Sequence, residues 1–92
     1  MYYTYILYSL KSKNFYYGYT ENLQERYKLH QTGQVKSTSP YLPWKIVWYA
    51  AFENMQLAKD FETYLKSGSG KAFAYKRLVH SEVLKKDVGV VK

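Results

Sequence analysis

The sequence predicts a small α+β domain with three strands and two principal helices in the order β-β-α-β-α, followed by short C-terminal helices. Three stretches rich in aromatic and β-branched residues are typical of strands, and two others repeat apolar residues at helical spacing. A chain of 92 residues allows one modest core, so we expect a single domain over residues 1–92. Its hydrophobic content of 47% supplies the apolar surface that this core needs.

The first two strands are expected to form a hairpin. The stretch Tyr2 to Leu10 is aromatic-rich and lacks Gly and Pro, and Phe15 to Tyr19 resumes that character after a polar interruption at Lys11 to Asn14. Gly18 lies inside the second strand. A glycine there often marks a bulge or the close approach of another backbone or a ligand.

The length of the hairpin loop sets which residues face each other. An even-numbered loop that pairs Lys11 with Asn14 places Tyr5 opposite Thr20. Odd positions of the first strand then share a face with even positions of the second, so Tyr5 and Tyr16 lie on one face, roughly 13 Å apart along the ladder. The two hydroxyls would flank one small site from two ends.

The stretch Thr20 to Gly33 predicts the first helix. Asn22 is a suitable N-cap, Glu25 three residues later completes a capping-box pattern, and Gly33 is a suitable stop.

Two polar residues fall on the apolar side of this helix. Leu23 and Tyr27 define that side at spacing i, i+4, and Arg26 and His30 project from it, also four residues apart. A guanidinium and an imidazole on the inward side of a helix need partners. Two interpretations stay open: a satisfied structural pair, or an anion-facing site built on the helix.

After a loop at Gln34 to Pro43, a third strand and a second helix follow. The stretch Trp44 to Phe52 is apolar nearly throughout, so we expect a well-covered strand. Asn54 caps a helix that runs to about Lys66. Four residues form its predicted apolar stripe: Leu57, Phe61, Tyr64 and Leu65.

Two acids border this stripe. Asp60 and Glu62 lie on opposite sides of it, each about 100° from its centre by helix geometry. A carboxylate at such a border can reach a cleft while its helix stays packed. Spacing does not choose between the two, and either could be an ordinary solvated acid.

The segment Ser67 to Lys71, SGSGK, does not fit a phosphate-binding P-loop. The first glycine of GxxxxGK[ST] is missing, Ala72 occupies the Ser/Thr position, and a helix precedes the segment instead of a strand. We expect a helix stop and a turn here. Short basic helices at Ala72 to Val79 and Ser81 to Lys86 and a frayed tail would follow.

The charge distribution favours a polyanionic partner. The formal net charge is +7, and residues 1–46 carry six Lys/Arg against two acids, residues 47–64 one against three, and residues 65–92 seven against two. Two basic segments therefore bracket a short acidic one. This balance suits nucleic acid, although the same charge could serve solubility alone.

Composition excludes several other classes. The chain has no cysteine, which excludes disulfides and thiolate-based metal sites or nucleophiles. No apolar run approaches the roughly 20 residues that span a bilayer, and the N-terminus lacks the basic-then-apolar order of a signal peptide. We therefore expect a cytoplasmic protein with no membrane partner. The sequence does not determine the oligomeric state, and we expect a monomer.

Taken in order, these residues resemble the GIY-YIG nuclease superfamily. Tyr3-Thr4-Tyr5 corresponds to the Gly-Ile-Tyr motif and Tyr16-Tyr17-Gly18 to the Tyr-Ile-Gly motif, with Tyr3 and Tyr17 differing from the usual residues. Later features are similar to a small stand-alone bacterial branch, which is itself similar to the nuclease domain of the bacterial excision-repair incision protein. These features are Asn22-Leu23-x-x-Arg26-x-x-x-His30, Pro43-Trp44, Ala58-x-x-x-Glu62-x-x-Leu65-Lys66 and the GSG turn. The resemblance covers about residues 2–80.

The resemblance implies a three-stranded antiparallel sheet flanked by helices, and a hydrolase that uses one divalent ion, Mg²⁺ or Mn²⁺, to cleave phosphodiester bonds of DNA. It makes Glu62 the metal ligand and Arg26 the group that braces the phosphate. It assigns the attacking water and the proton transfers to Tyr5, Tyr16 and His30, without deciding which tyrosine is the base. We expect these five side chains to converge on one concave face.

Three hypotheses therefore compete. The leading one is a metal-dependent endonuclease that prefers a DNA structure over a sequence and is linked to DNA repair or processing. The alternative is a non-catalytic nucleic-acid-binding module that keeps the nuclease fold, and the third is a basic structural protein. The five polar residues together favour the endonuclease, because an isolated carboxylate facing phosphate is unfavourable without a metal.

Overall fold

A computed structural model describes residues 1–79 and confirms the α+β class and the predicted order of elements. The elements are β1 (Tyr2–Ser9), β2 (Phe15–Thr20), α1 (Leu23–Gln31), β3 (Trp44–Phe52), α2 (Met55–Lys66) and α3 (Gly68–Arg77). A short 3₁₀ turn, Ser39–Tyr41, lies in the loop before β3, and the Leu42–Pro43 peptide bond is cis. The helix predicted at Ser81 to Lys86 falls outside the described residues.

The sheet is antiparallel with strand order β2-β1-β3, so the first strand lies in the middle. Six consecutive residues of β1, from 4 to 9, are buried because helices cover both of its faces. The prediction that β3 is well covered is wrong. It is an edge strand, and its Tyr49 is 57% exposed. An apolar run alone does not separate a central strand from an edge strand with one uncovered end.

The predicted hairpin register is wrong by two residues. Tyr5 lies opposite Gly18 instead of Thr20, and the backbone N–H of Ser9 donates to the carbonyl of Asn14 at 2.9 Å. The turn closes early because Ser9 Oγ accepts from the backbone N–H groups of Lys11 and Ser12. These two loop residues therefore bond to Ser9 and do not extend the strand pairing. An offset of two preserves the face of every side chain, so the predicted shared face of the two tyrosines holds.

Each face of the sheet carries its own apolar core. On the α1 side, Tyr5, Leu7 and Trp44 are buried. On the other side, Ile6 packs with residues of α2, α3 and the segment after α3, namely Leu65, Ala74 and Val79. The single strand β1 therefore contributes alternate residues to both cores, which fixes α1 and α2 on opposite faces.

The predicted apolar stripe of α2 is partly wrong. Leu57 and Tyr64 are 50% and 40% exposed, whereas Ala58, Leu65 and Glu62 are buried. The small side chain of Ala58 allows α2 to approach the sheet closely, and the hydroxyl of Thr4 donates to its carbonyl at 2.7 Å. This rotation turns Glu62 inward.

The third helix starts earlier than predicted. The SGSGK segment is the first turn of α3 and not a separate turn, because Ser67 caps the helix through a hydrogen bond from the backbone N–H of Gly70. A Cβ at Gly70 would overlap the carbonyl oxygen of Tyr64, so a glycine is needed where α3 folds back on α2. Within residues 1–79, no helix has the length and the hydrophobicity to cross a membrane.

Candidate active site

The hairpin places the hydroxyl of Tyr5 at the β2 edge of the sheet. Tyr5 lies directly across from Gly18, and a Cβ built on Gly18 would lie 2.5 Å from Tyr5 Oη. The missing side chain therefore lets the Tyr5 ring lie across β2. Tyr16 shares this face, with its ring centroid 6.3 Å from that of Tyr5, so the two rings are neighbours and do not flank a site from two ends.

The N-terminal turn of α1 positions Arg26. Asn22 caps the helix as predicted, accepting from the backbone N–H of Glu25 at 3.1 Å. Arg26 is half-buried and lies on the same pocket wall as Tyr5 and Tyr16. Burial alone would lower the pKa of Arg26, but the hydroxyls of these tyrosines outweigh burial and raise it, so the side chain is a fixed cation beside two phenols.

One turn further along α1, His30 is fully buried behind the tyrosines. Its Nε2 lies 2.9 Å from Tyr5 Oη and its Nδ1 lies 2.9 Å from Thr38 Oγ1. Burial, followed by the positive charge of Arg26, lowers the pKa of His30 to about 4. Burial also raises the pKa of Tyr5 to about 12, although the nearby positive charge of Arg26 opposes this. At neutral pH both groups are therefore uncharged.

Helix α2 presents one carboxylate to this region. Glu62 is 9% exposed and forms an ion pair with Lys66, one turn later, whose own side chain is 55% exposed. Asp60 is exposed instead, and its carboxylate accepts from Gln56 Nε2 at 2.8 Å on the outer side of the helix. The structure thus separates two acids that the sequence pattern treated alike.

Four of the five candidate residues line one open, mostly polar pocket at the β2 edge. Its lining comes from β1, β2, α1 and α2: Tyr5, Tyr16, Gly18, Tyr19, Thr20, Arg26 and Glu62. His30 does not line it but contacts it through Tyr5. A larger pocket beside Tyr3 and Tyr49 has Glu21 as its one charged lining residue, so it lacks the pairing of a cation with a buried carboxylate.

Sequence reasoning missed one contributor to this arrangement, Thr38, and indicated a second, Gly18, in part. Thr38 lies in a Ser/Thr-rich loop whose composition indicates only a turn, and nothing in the spacing connects it with His30. The role of Gly18 was signalled in part, because a strand glycine suggests a close approach.

Comparison with known proteins identifies the family of the chain. The GIY-YIG catalytic domain matches residues 1–76, and the chain belongs to that family, which implies nuclease-type activity on nucleic acid. The chain is also 40% identical over 67 residues to a UPF0213 protein of Clostridium perfringens (strain 13 / Type A), a span that covers 72% of this chain and 71% of that protein. No solved structure matches the chain.

Proposed function

We propose that this protein is a metal-dependent endonuclease that hydrolyses phosphodiester bonds of DNA at the pocket around Arg26 and Glu62. The observation that carries the proposal is the juxtaposition of a fixed cation, a buried carboxylate and two phenols, drawn from four different elements. Hydrolysis of a phosphodiester needs these elements: charge to stabilise the phosphate, a metal ligand, and groups that orient water and move a proton.

The side chains present fit a divalent ion of the Mg²⁺ type. Such an ion takes one or two carboxylates and keeps several waters or phosphate oxygens as its other ligands. Glu62 is a buried carboxylate on the pocket wall whose ion-pair partner, Lys66, is half exposed and free to swing away. Within residues 1–79, no group of three His, Cys, Asp or Glu side chains could enclose a metal, which argues against a zinc-type site. Bound at Glu62, the ion would supply Lewis-acid stabilisation of the phosphate and a more acidic water.

Arg26 would hold the phosphate. Its guanidinium lines the pocket beside Tyr5 and Tyr16 and is already charged, so it is in place when a phosphate oxygen arrives. Guanidinium and phosphate match as charged hydrogen-bonding partners, and the attraction strengthens as negative charge accumulates in the transition state.

Tyr5 and His30 would take the proton of the attacking water. As the water oxygen bonds to phosphorus and the bond to the leaving oxygen breaks, the water proton passes to Tyr5 Oη and the Tyr5 proton passes to His30 Nε2, 2.9 Å away. Free His30 is a weak base because of burial and Arg26. The negative charge of bound phosphate offsets Arg26 and raises the pKa of His30, so the relay becomes effective only with substrate in place. Tyr16, which is more exposed, would orient the water.

The charge of the chain supports DNA as the substrate and a preference for structure over sequence. The net charge of +7 provides sequence-independent attraction to a phosphate backbone, and contacts to phosphates position a protein without reading bases. A role in DNA repair or processing would follow from such a preference.

One observation favours the alternative, a nucleic-acid-binding module without turnover. The ion pair between Glu62 and Lys66 neutralises the carboxylate that would otherwise bind metal. In that case Glu62 would be a structural residue, and the pocket would hold phosphate without cleaving it.

Nicking of supercoiled plasmid separates the two functions. The endonuclease should convert supercoiled to open-circular DNA with Mg²⁺ or Mn²⁺, and a chelator should stop the conversion while DNA binding persists. Binding with no nicking in either metal would leave only the binding module.

A further inference from the structure

A chain of buried hydrogen bonds runs from the candidate active site into the loop before β3. It connects Tyr5 Oη with His30 Nε2, and His30 Nδ1 with Thr38 Oγ1, each at 2.9 Å. All three residues are at most 1% exposed. Because His30 and Thr38 are fully buried, their side-chain polar atoms depend on the partners that the fold provides.

The direction of these hydrogen bonds follows from counting protons. Neutral His30 carries one ring proton, so one of its nitrogens donates and the other accepts. Thr38 Oγ1 gives its own proton to the carbonyl of Val35 at 3.2 Å, so toward His30 it can only accept, and Nε2 is left to accept the hydroxyl proton of Tyr5. The ring proton then lies on Nδ1, which donates to Thr38 Oγ1.

The surrounding loop holds Thr38 in the matching orientation. Its hydroxyl donates to the carbonyl of Val35 at 3.2 Å, which leaves an oxygen lone pair for His30. The indole Nε1 of Trp44, a residue only 4% exposed, donates to the backbone carbonyl of Thr38 at 2.9 Å and fixes the position of the loop. Thr38 thus accepts from His30 without touching the pocket itself.

We propose that Thr38 is a positioning residue that holds His30 in the Nδ1–H tautomer and so leaves Nε2 as the acceptor for the proton of Tyr5. The catalytic part of this inference rests on the proposed nuclease function, whereas the tautomer does not. Without the Thr38 hydroxyl, the Nδ1–H group would be buried with no acceptor, and the ring would shift toward the other tautomer, in which two donors face each other at Tyr5.

The tautomer can be observed without metal or DNA. Long-range ¹H–¹⁵N NMR of the wild-type protein near neutral pH should show a pyrrole-type nitrogen at Nδ1 of His30 and a pyridine-type nitrogen at Nε2. Thr38→Val removes the hydroxyl at nearly constant shape and should move both signals toward the opposite tautomer. Thr38→Ser keeps the hydroxyl and should preserve the wild-type pattern.

Single-turnover nicking gives the functional readout. Thr38→Val should reduce the rate constant about 10- to 100-fold, the range seen when an outer hydrogen-bond partner of a functional histidine is removed, with DNA affinity unchanged. Thr38→Ser should restore most of the rate. Thr32→Val is the control for the loss of a threonine hydroxyl, because the Thr32 hydroxyl donates to the carbonyl of Lys28 at 2.9 Å and Thr32 does not line the pocket.

Each outcome decides the inference. An Nε2–H tautomer in the wild type, or unchanged His30 signals in folded Thr38→Val, would overturn it. A loss of rate in Thr32→Val as large as that in Thr38→Val would reduce Thr38 to a stabilising residue. Wild-type protein that does not nick DNA at all would remove the proposed function, and the spectra alone would then decide the tautomer.

Discussion

Acidification from about pH 7.5 to about pH 5 should destabilise the fold through His30. Its pKa is about 4 in the folded protein, against about 6.5 in an unfolded chain, so the unfolded state binds more protons in this range. The contribution of neutral His30 to the free energy of unfolding is therefore fully present above the pKa of His30 in the unfolded chain, and it is lost as the pH falls toward 4. Linkage between these two values gives a loss of about 2 kcal/mol at pH 5. For a domain of this size the midpoint of thermal unfolding would fall on the order of 10 °C.

The assay is thermal unfolding, followed by circular dichroism, of wild type and His30→Gln across this pH range. Glutamine cannot titrate, whereas the carboxylates are common to both proteins and cancel in the comparison. The wild-type midpoint should fall more steeply than that of the variant, so their difference shrinks toward acid. Parallel plots of the two midpoints against pH would mean that His30 is not held neutral by burial. The assignment of protons in the Tyr5–His30–Thr38 hydrogen bonds would then be wrong.

Three further outcomes follow from the same geometry. Gly18→Ala should push the hydroxyl of Tyr5 from the pocket. It should lower the free energy of unfolding by about 1–3 kcal/mol, measured by thermal unfolding, and remove most of the nicking activity. Gly68→Ala, where a Cβ meets nothing within 4 Å, is the control and should have neither effect. Arg26→Lys keeps the charge but loses the planar hydrogen-bonding fork, so single-turnover cleavage should fall about 10²- to 10³-fold while affinity for DNA changes little; equal rates would remove Arg26 from phosphate stabilisation. The affinity for DNA, measured by fluorescence anisotropy, should fall with salt with a log–log slope of about −0.9 per phosphate contacted, and a flat titration would contradict electrostatic binding.

The sequence was sufficient to predict the strands and helices but not which of their residues are buried. The N-caps Asn22 and Asn54 are local features, and the structure confirms both. Whether a strand is central depends on distant pairing, so the apolar run of β3 was mistaken for a covered strand. The hairpin register depended on Ser9 Oγ closing the turn, which no repeat in the sequence reveals.

In the candidate site, too, local spacing was predictable and distant packing was not. Helical spacing placed Arg26 and His30 on one side of α1, but it could not separate Glu62 from Asp60, because the rotation of α2 is set by the close packing of Ala58 against β1. Thr38 lies eight residues beyond His30 in an irregular loop. Its contact exists only because the loop folds back over the imidazole.

The most direct test of the central claim compares Glu62→Gln with Asp60→Asn. Each change removes one negative charge from the same helix of a basic protein, but only Glu62 is buried in the pocket wall. If Glu62 holds the metal, Glu62→Gln should lose about a thousandfold or more in single-turnover nicking while DNA affinity persists, and Asp60→Asn should cleave at nearly the wild-type rate. Circular dichroism would confirm that both variants fold. Equal cleavage by the two variants would exclude Glu62 from the active site and contradict the nuclease mechanism.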